Sequence, residues 1–206
     1  MVSPPNWLPG LRKLCDEHGI MLICDEVQSG VGRTGKMWAC DHFGVEPDIL
    51  CSAKGLASGM PLGAIIAKAD VMTWPSGSHA TTFGGNPVSC AAALTTLDLI
   101  ENGLMQNAHT QGQLLKSKLN DLAERYDCLG EVRGLGLMVG VEIITSKSGK
   151  EKNGALRDKI VDACFEHGLL ILGCGENTIR FSPPLMIDAE DVNTAVSILD
   201  TVLQAL

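Results

Sequence analysis

The stretch Ile20-Met21-Leu22-Ile23-Cys24-Asp25-Glu26 decides the fold: five apolar residues run on without a break and end in two adjacent carboxylates. A short uninterrupted apolar run bounded by turn signals suits a strand buried on both faces, as parallel sheets provide. Upstream, Trp7, Leu8, Leu11, Leu14 and Cys15 recur at helical spacing, and His18-Gly19 closes that pattern. Downstream, residues 48–52 and 62–67 repeat the strand signature, separated by glycine-containing turns. Asn86-Pro87 then opens a long apolar-periodic helix through Cys90, Ala93, Leu94, Leu97 and Ile100, with proline in its tolerated first-turn position. These signals predict an α/β architecture with a mostly parallel sheet.

After Asn102-Gly103 the pattern changes. A polar helix over residues 105–125 precedes strand-like segments at 131–133 and 137–143, and residues 146–153 form a polar tip. A helix then runs to His167, short strands follow at 169–172 and 178–181, and a last helix starts at Ala189. The expected division is residues 1–102 as part of a large domain and residues 103–206 as a small C-terminal α+β domain.

At 206 residues the chain is long enough to bury a core without a disulfide or metal staple. Its 16 basic and 24 acidic side chains give a formal net charge of −8, which argues against a nucleic-acid partner. An apolar content of 45% excludes disorder. No apolar run approaches the roughly 18 to 20 residues of a membrane span, and residues 1–14 carry no secretory pattern. Eight scattered cysteines without a C-x-x-C pair read as reduced core residues of a cytoplasmic protein, with no metal site.

The chemistry gathers at strand ends, where parallel sheets collect ligands. Asp25 continues a buried strand, so it needs a cationic or protonated partner; a structural salt bridge would serve equally. Lys54 follows the next strand in Ser52-Ala53-Lys54-Gly55. Apolar surroundings favour a neutral amine, a nucleophile able to form a Schiff base, although an exposed or paired cation fits the same position. Together the two match pyridoxal phosphate, which requires a lysine for its aldehyde and a carboxylate at its ring nitrogen. Gln28 could donate to a ring hydroxyl and Val27 pack on the ring, or both are ordinary loop residues.

Gly30-Val31-Gly32-Arg33-Thr34-Gly35 also fits a dinucleotide-binding glycine motif. Two carboxylates immediately before it would repel a pyrophosphate, and residues 36–43 are too short for a crossover helix. Thr81-Thr82-Phe83-Gly84-Gly85-Asn86 places hydroxyls before a helix N-terminus, suited to a phosphate or to simple capping by Asn86. Arg180 alternates with Ile179 and Phe181, and a half-buried guanidinium there wants a carboxylate from the protein or from a substrate.

Cys24-Asp25-Glu26-Val27-Gln28-Ser29-Gly30, Gly32-Arg33-Thr34-Gly35, Ser52-Ala53-Lys54-Gly55, residues 81–87 and Arg180-Phe181-Ser182-Pro183-Pro184 together resemble the class III pyridoxal-phosphate aminotransferases. The group that handles 4-aminobutyrate, acetylornithine and ornithine is the nearest in pattern. The resemblance implies fold type I of the pyridoxal-phosphate enzymes, with residues 1–102 as the rear part of the cofactor-binding large domain. It also implies roles: Asp25 at the pyridine nitrogen, Val27 on the ring, Gln28 at the ring hydroxyl and Lys54 as Schiff-base lysine and proton carrier. Thr82 would reach the phosphate of a neighbouring subunit's cofactor, and Arg180 would hold a substrate carboxylate. The implied reaction moves an amino group from an amino acid to a 2-oxo acid such as 2-oxoglutarate, in a homodimer with shared active sites. Family members run to about twice this length, so the resemblance implies a C-terminal half, lacking the phosphate-cradling loop. Two other readings stay open: an amino-acid racemase or epimerase on the same cofactor, and a cofactor-free dimerisation module.

Overall fold

The computed structural model describes residues 2–206, which divide into two compact units, Ser3–Gln106 and Asn107–Leu206 with Val2.

In the first unit, helix α1 (Trp7–His18) ends on Gly19 at φ 64°, whose amide donates to Cys15 and Asp16 carbonyls. The left-handed backbone that glycine adopts freely turns the chain into the next strand. Strands β1 (Ile23–Asp25), β2 (Ile49–Ser52) and β3 (Ala64–Ala67) form a sheet in that order. β1 and β2 run parallel, with Asp25 opposite Cys51, whereas β3 is antiparallel to β2, with Ile65 opposite Cys51. The expected parallel direction therefore holds for the first pair and fails for the second. The reason is connection length: residues 53–63 are too few for the dozen or more a parallel crossover requires, while residues 26–48 suffice.

The strands are also less enclosed than their apolar runs suggest. Cys15 of α1, Leu22 and Val45 pack with Leu8, Leu11, Cys24 and Phe43 on one side. On the other, Ile23 and Ile65 remain 57% and 47% exposed, and the register puts Asp25 in this same open row. Asp48 ties α1 to the sheet: it accepts from the Leu22 amide and from Arg12, each at 2.7 Å. That amide, then the guanidinium, hold its carboxyl down to about 2. Helix α2 (Pro87–Leu99) is capped by Asn86, which accepts from the Ser89 amide at 2.9 Å.

The second unit begins in α3 (Met105–Arg125), reached through a wide turn with Gly103 at φ 156°. Strands β4 (Leu129–Leu135), β5 (Met138–Ile143), β6 (Leu172–Cys174) and β7 (Thr178–Phe181) form an antiparallel sheet ordered β4-β5-β7-β6. The strand expected at 169–172 lies instead at Leu172–Cys174, on the edge of the sheet. Helices α3, α4 (Gly154–Glu166) and α5 (Ala189–Gln204) cover one face. Leu119, Ile143, Ile160 and Leu199 are fully buried there. A methyl group at Gly112 of α3 would come 2.1 Å from the Gly136 carbonyl oxygen, so only glycine lets the helix lie on the β4–β5 turn.

No helix among the described residues is long and apolar enough to cross a membrane. Of the eight free cysteines only Cys15, Cys40 and Cys164 are buried, and Cys174 is exposed, which corrects the reading of all eight as core. Among the described residues no cluster suits a metal ion.

Candidate active site

Asp25 and Lys54 follow from the parallel pairing. Asp25 is the last residue of β1, and β2 ends one residue past its partner Cys51, with Lys54 two residues further on. Both functional groups therefore leave the sheet at the carboxyl ends of adjacent parallel strands. Asp25 accepts from the Val27 amide through Oδ1 at 3.1 Å, which orients its carboxylate at the strand end.

Neither residue is buried as the sequence suggested: Asp25 and Lys54 are both exposed. Asp25 lies on the same face of the first sheet as the exposed Ile23 and Ile65, and Lys54 sits past the strand in a single 3-10 turn (Lys54–Ala57). The buried carboxylate is its neighbour, Glu26, only 3% exposed. Glu26 accepts from the Cys40 amide at 2.8 Å through Oε1 and from the Ser29 hydroxyl through Oε2. It thereby fastens both ends of loop 26–40, and so the start of the segment that carries Val27 and Gln28. Burial, and then the Glu26 charge, push the Cys24 thiol up, and the same two causes push Cys40 up to about 12.

Strain is concentrated here. Lys54 has φ 47° and Val31 φ 57°, left-handed conformations that a non-glycine residue, and a β-branched one above all, adopts at a cost of about 1–3 kcal/mol. The Lys54 turn is tied to α2 by a 2.9 Å hydrogen bond between the Ser58 and Thr96 hydroxyls. Ser52, two residues before it, keeps a buried hydroxyl with no partner among the described residues. The Gly30–Gly35 motif, by contrast, leads into no α-helix, only a 3-10 turn (Ala39–Phe43). Its first glycine serves packing: a methyl group at Gly30 would strike the Trp38 ring at 2.6 Å and the Glu26 carbonyl at 2.8 Å.

Val27 is half-buried and Gln28 exposed beside Asp25. Thr82 is exposed in the loop before α2, whose first turn Asn86 already caps. Arg180 belongs to the second unit, in the middle of β7. Its Nε is buried without an acceptor among the described residues, an unmet donor that a carboxylate would satisfy. The chemistry of this donor set fits pyridoxal phosphate: a carboxylate and a primary amine on neighbouring strand ends, an amide and hydroxyls on adjoining loops, and a separate guanidinium with an unmet N–H. Gly140, which pairs with Arg180 in the sheet, and Arg133, which pairs with Gly140 on its other side, escape sequence reading because only strand register aligns the three.

The family model described as Aminotransferase class-III matches residues 1–203. An acetylornithine aminotransferase of Caldanaerobacter subterraneus is 40% identical over 205 residues, 99% of this chain and 50% of that protein. An isoleucine 2-epimerase of Lentilactobacillus buchneri is also 40% identical, over 99% of this chain and 46% of its own. Among solved structures, a PLP-bound amine transaminase from an uncultivated Pseudomonas species superposes with a TM-score of 0.91 at 38% identity, covering 98% of this chain and 48% of that one. The chain spans about half the length of the curated relatives it matches.

Proposed function

From the premise that this chain belongs to the class III aminotransferase family, we propose that it carries the lysine, the ring-nitrogen carboxylate and the substrate arginine of a pyridoxal-phosphate amino-transfer site. The observation that carries the reading is the placement of Asp25 and Lys54 at the ends of adjacent parallel strands, with Lys54 held in a strained left-handed backbone. When bound, pyridoxal phosphate supplies an electron sink for the pair left on the carbon that bears the transferred amine as its proton departs.

Lys54 Nζ would hold the cofactor at its aldehyde carbon and would move the proton of the carbon that bears the transferred amine. The Asp25 carboxylate, aimed by the Val27 amide, holds the proton on the ring nitrogen. Val27 packs against the ring, Gln28 donates to the ring hydroxyl, and Thr82 reaches the phosphate held by a second copy of the chain. Arg180 holds the carboxylate of the amino acid or of the 2-oxo acid, its buried Nε completing a two-point contact. The donor is an amino acid of the 4-aminobutyrate, ornithine or acetylornithine kind, and the acceptor is 2-oxoglutarate. The assembly is a homodimer. A cytoplasmic location agrees with the free thiols and with the absence of a membrane-crossing helix among the described residues.

Incubating the chain with cofactor, acetylornithine or another donor, and 2-oxoglutarate, and separating products by chiral chromatography, tests this. Glutamate formed by the unaltered chain and not by Lys54→Ala is the expected result. A second reading, epimerisation, is favoured by the 40% identity to an isoleucine epimerase. Inversion of the amino acid without 2-oxoglutarate would establish it in place of transfer, and no turnover of either kind overturns both for this chain alone.

A further inference from the structure

Two arginines share one row on the outer face of the second sheet. Gly140 of β5 pairs with Arg133 of β4 on one side and with Arg180 of β7 on the other. Buried Val139, Val141, Ile179 and Phe181 alternate with these residues, so the row lies on the side away from the core. In the next row, Glu142 of β5 pairs with Thr178 of β7.

The two guanidiniums differ in what they hold. Arg133 Nη1 lies 3.0 Å from Glu131 Oε2 and 3.2 Å from Glu142 Oε1, and Nη2 donates to Thr178 Oγ1 at 3.3 Å. The Arg180 side chain makes no ion pair or hydrogen bond with the described residues, and its Nε is buried. Yet Glu142 is the diagonal neighbour of Arg180 across the β5–β7 pairing, a separation of about 7 Å that long side chains span. A carboxylate in reach of an unsatisfied guanidinium pairs with it unless something else holds that carboxylate.

We propose that Arg133 is a positioning residue that withholds Glu142 from Arg180, and so keeps Arg180 open for a substrate carboxylate. The inference rests on the reading of Arg180 as the carboxylate holder. Gly140 makes the arrangement possible, because it keeps the row between the two arginines free of a side chain. A methyl group there would come 3.0 Å from the methyl of Thr178, the residue whose hydroxyl receives Arg133.

The experiment follows the Arg180 Nε–Hε resonance in the 15N-labelled full chain, assigned by its loss in Arg180→Lys, during titration with glutarate as an unreactive carboxylate probe. In the unaltered chain the resonance moves as glutarate binds. In Arg133→Gln it is already displaced before glutarate is added, because Glu142 has turned to Arg180, and glutarate binds about tenfold more weakly or worse. Arg133→Gln combined with Glu142→Gln returns both the starting position and the affinity to those of the unaltered chain. An Arg133→Gln chain with unchanged resonance and affinity overturns the proposal while leaving Arg180 as carboxylate holder. A double variant as weak as the single one also overturns it, because the loss then reflects damage to the sheet. An unaltered chain whose Arg180 resonance ignores glutarate overturns the carboxylate role of Arg180, and the guarding role with it.

Discussion

The four-stranded sheet of the second unit lays its apolar face under three helices, while the three-stranded sheet of the first leaves Ile23 and Ile65 about half exposed. Their strands carry this difference in their side-chain pattern. β5 alternates strictly, with Val139, Val141 and Ile143 inward and Gly140 and Glu142 outward. Ile23 and Cys24 of β1, and Ile65 and Ile66 of β3, put apolar side chains on both faces, the composition of strands that expect cover on each side. A helix-covered antiparallel sheet supplies its own core, whereas the first sheet presents its open face and the end of β1, with Asp25, on the same side.

The contrast breaks if core substitutions in the two units have equal consequences. Leu119→Ala, at a fully buried position of α3, is expected to destabilise the second unit by about 2–5 kcal/mol, read in chemical denaturation. Gly112→Ala comes next, at about 1–3 kcal/mol, because its methyl group meets backbone at Gly136 rather than a side chain that can swing away. Ile65→Thr in the open row of the first sheet is expected to change stability by no more than about 0.5 kcal/mol. A large loss at Ile65 would mean that the exposed face is packed in solution.

Acid sharpens the comparison from another side. Asp48, which joins α1 to the first sheet, has its carboxyl lowered from 3.8 to about 2, chiefly by the Leu22 amide and then by Arg12. A carboxyl lowered on folding contributes stability that is fully present above its unfolded value and is lost as pH falls through the folded one. The first unit should therefore weaken between about pH 4 and pH 2, followed by hydrogen exchange at Leu22 and in β1, and Asp48→Asn should remove that part of the acid response.

Much of the fold is legible because local chemistry specifies it. Asn86-Pro87 starts α2, Ala189 starts α5, and the alternation at Thr178–Phe181 places β7 where the structure has it. The direction of β3 escapes its apolar pattern because apolarity reports burial and not strand direction; the short loop 53–63 holds that information instead. That Asp25 and Lys54 stand at strand ends is legible in the apolar runs before them, but their exposure is not. Which of two adjacent carboxylates is buried depends on which side of the sheet is covered, and here it is Glu26. The row Arg133, Gly140 and Arg180 spans residues far apart in sequence, and no pattern within one strand predicts the register that aligns them.

The attachment of pyridoxal phosphate to Lys54 is tested most directly by incubating the chain with the cofactor, reducing with borohydride and mapping peptides by mass spectrometry. A single reduced adduct on the peptide containing Lys54, lost in Lys54→Ala and weakened in Asp25→Asn, is the expected result. Labelling spread over surface lysines, with Lys54 no more modified than Lys13 or Lys159, would contradict it.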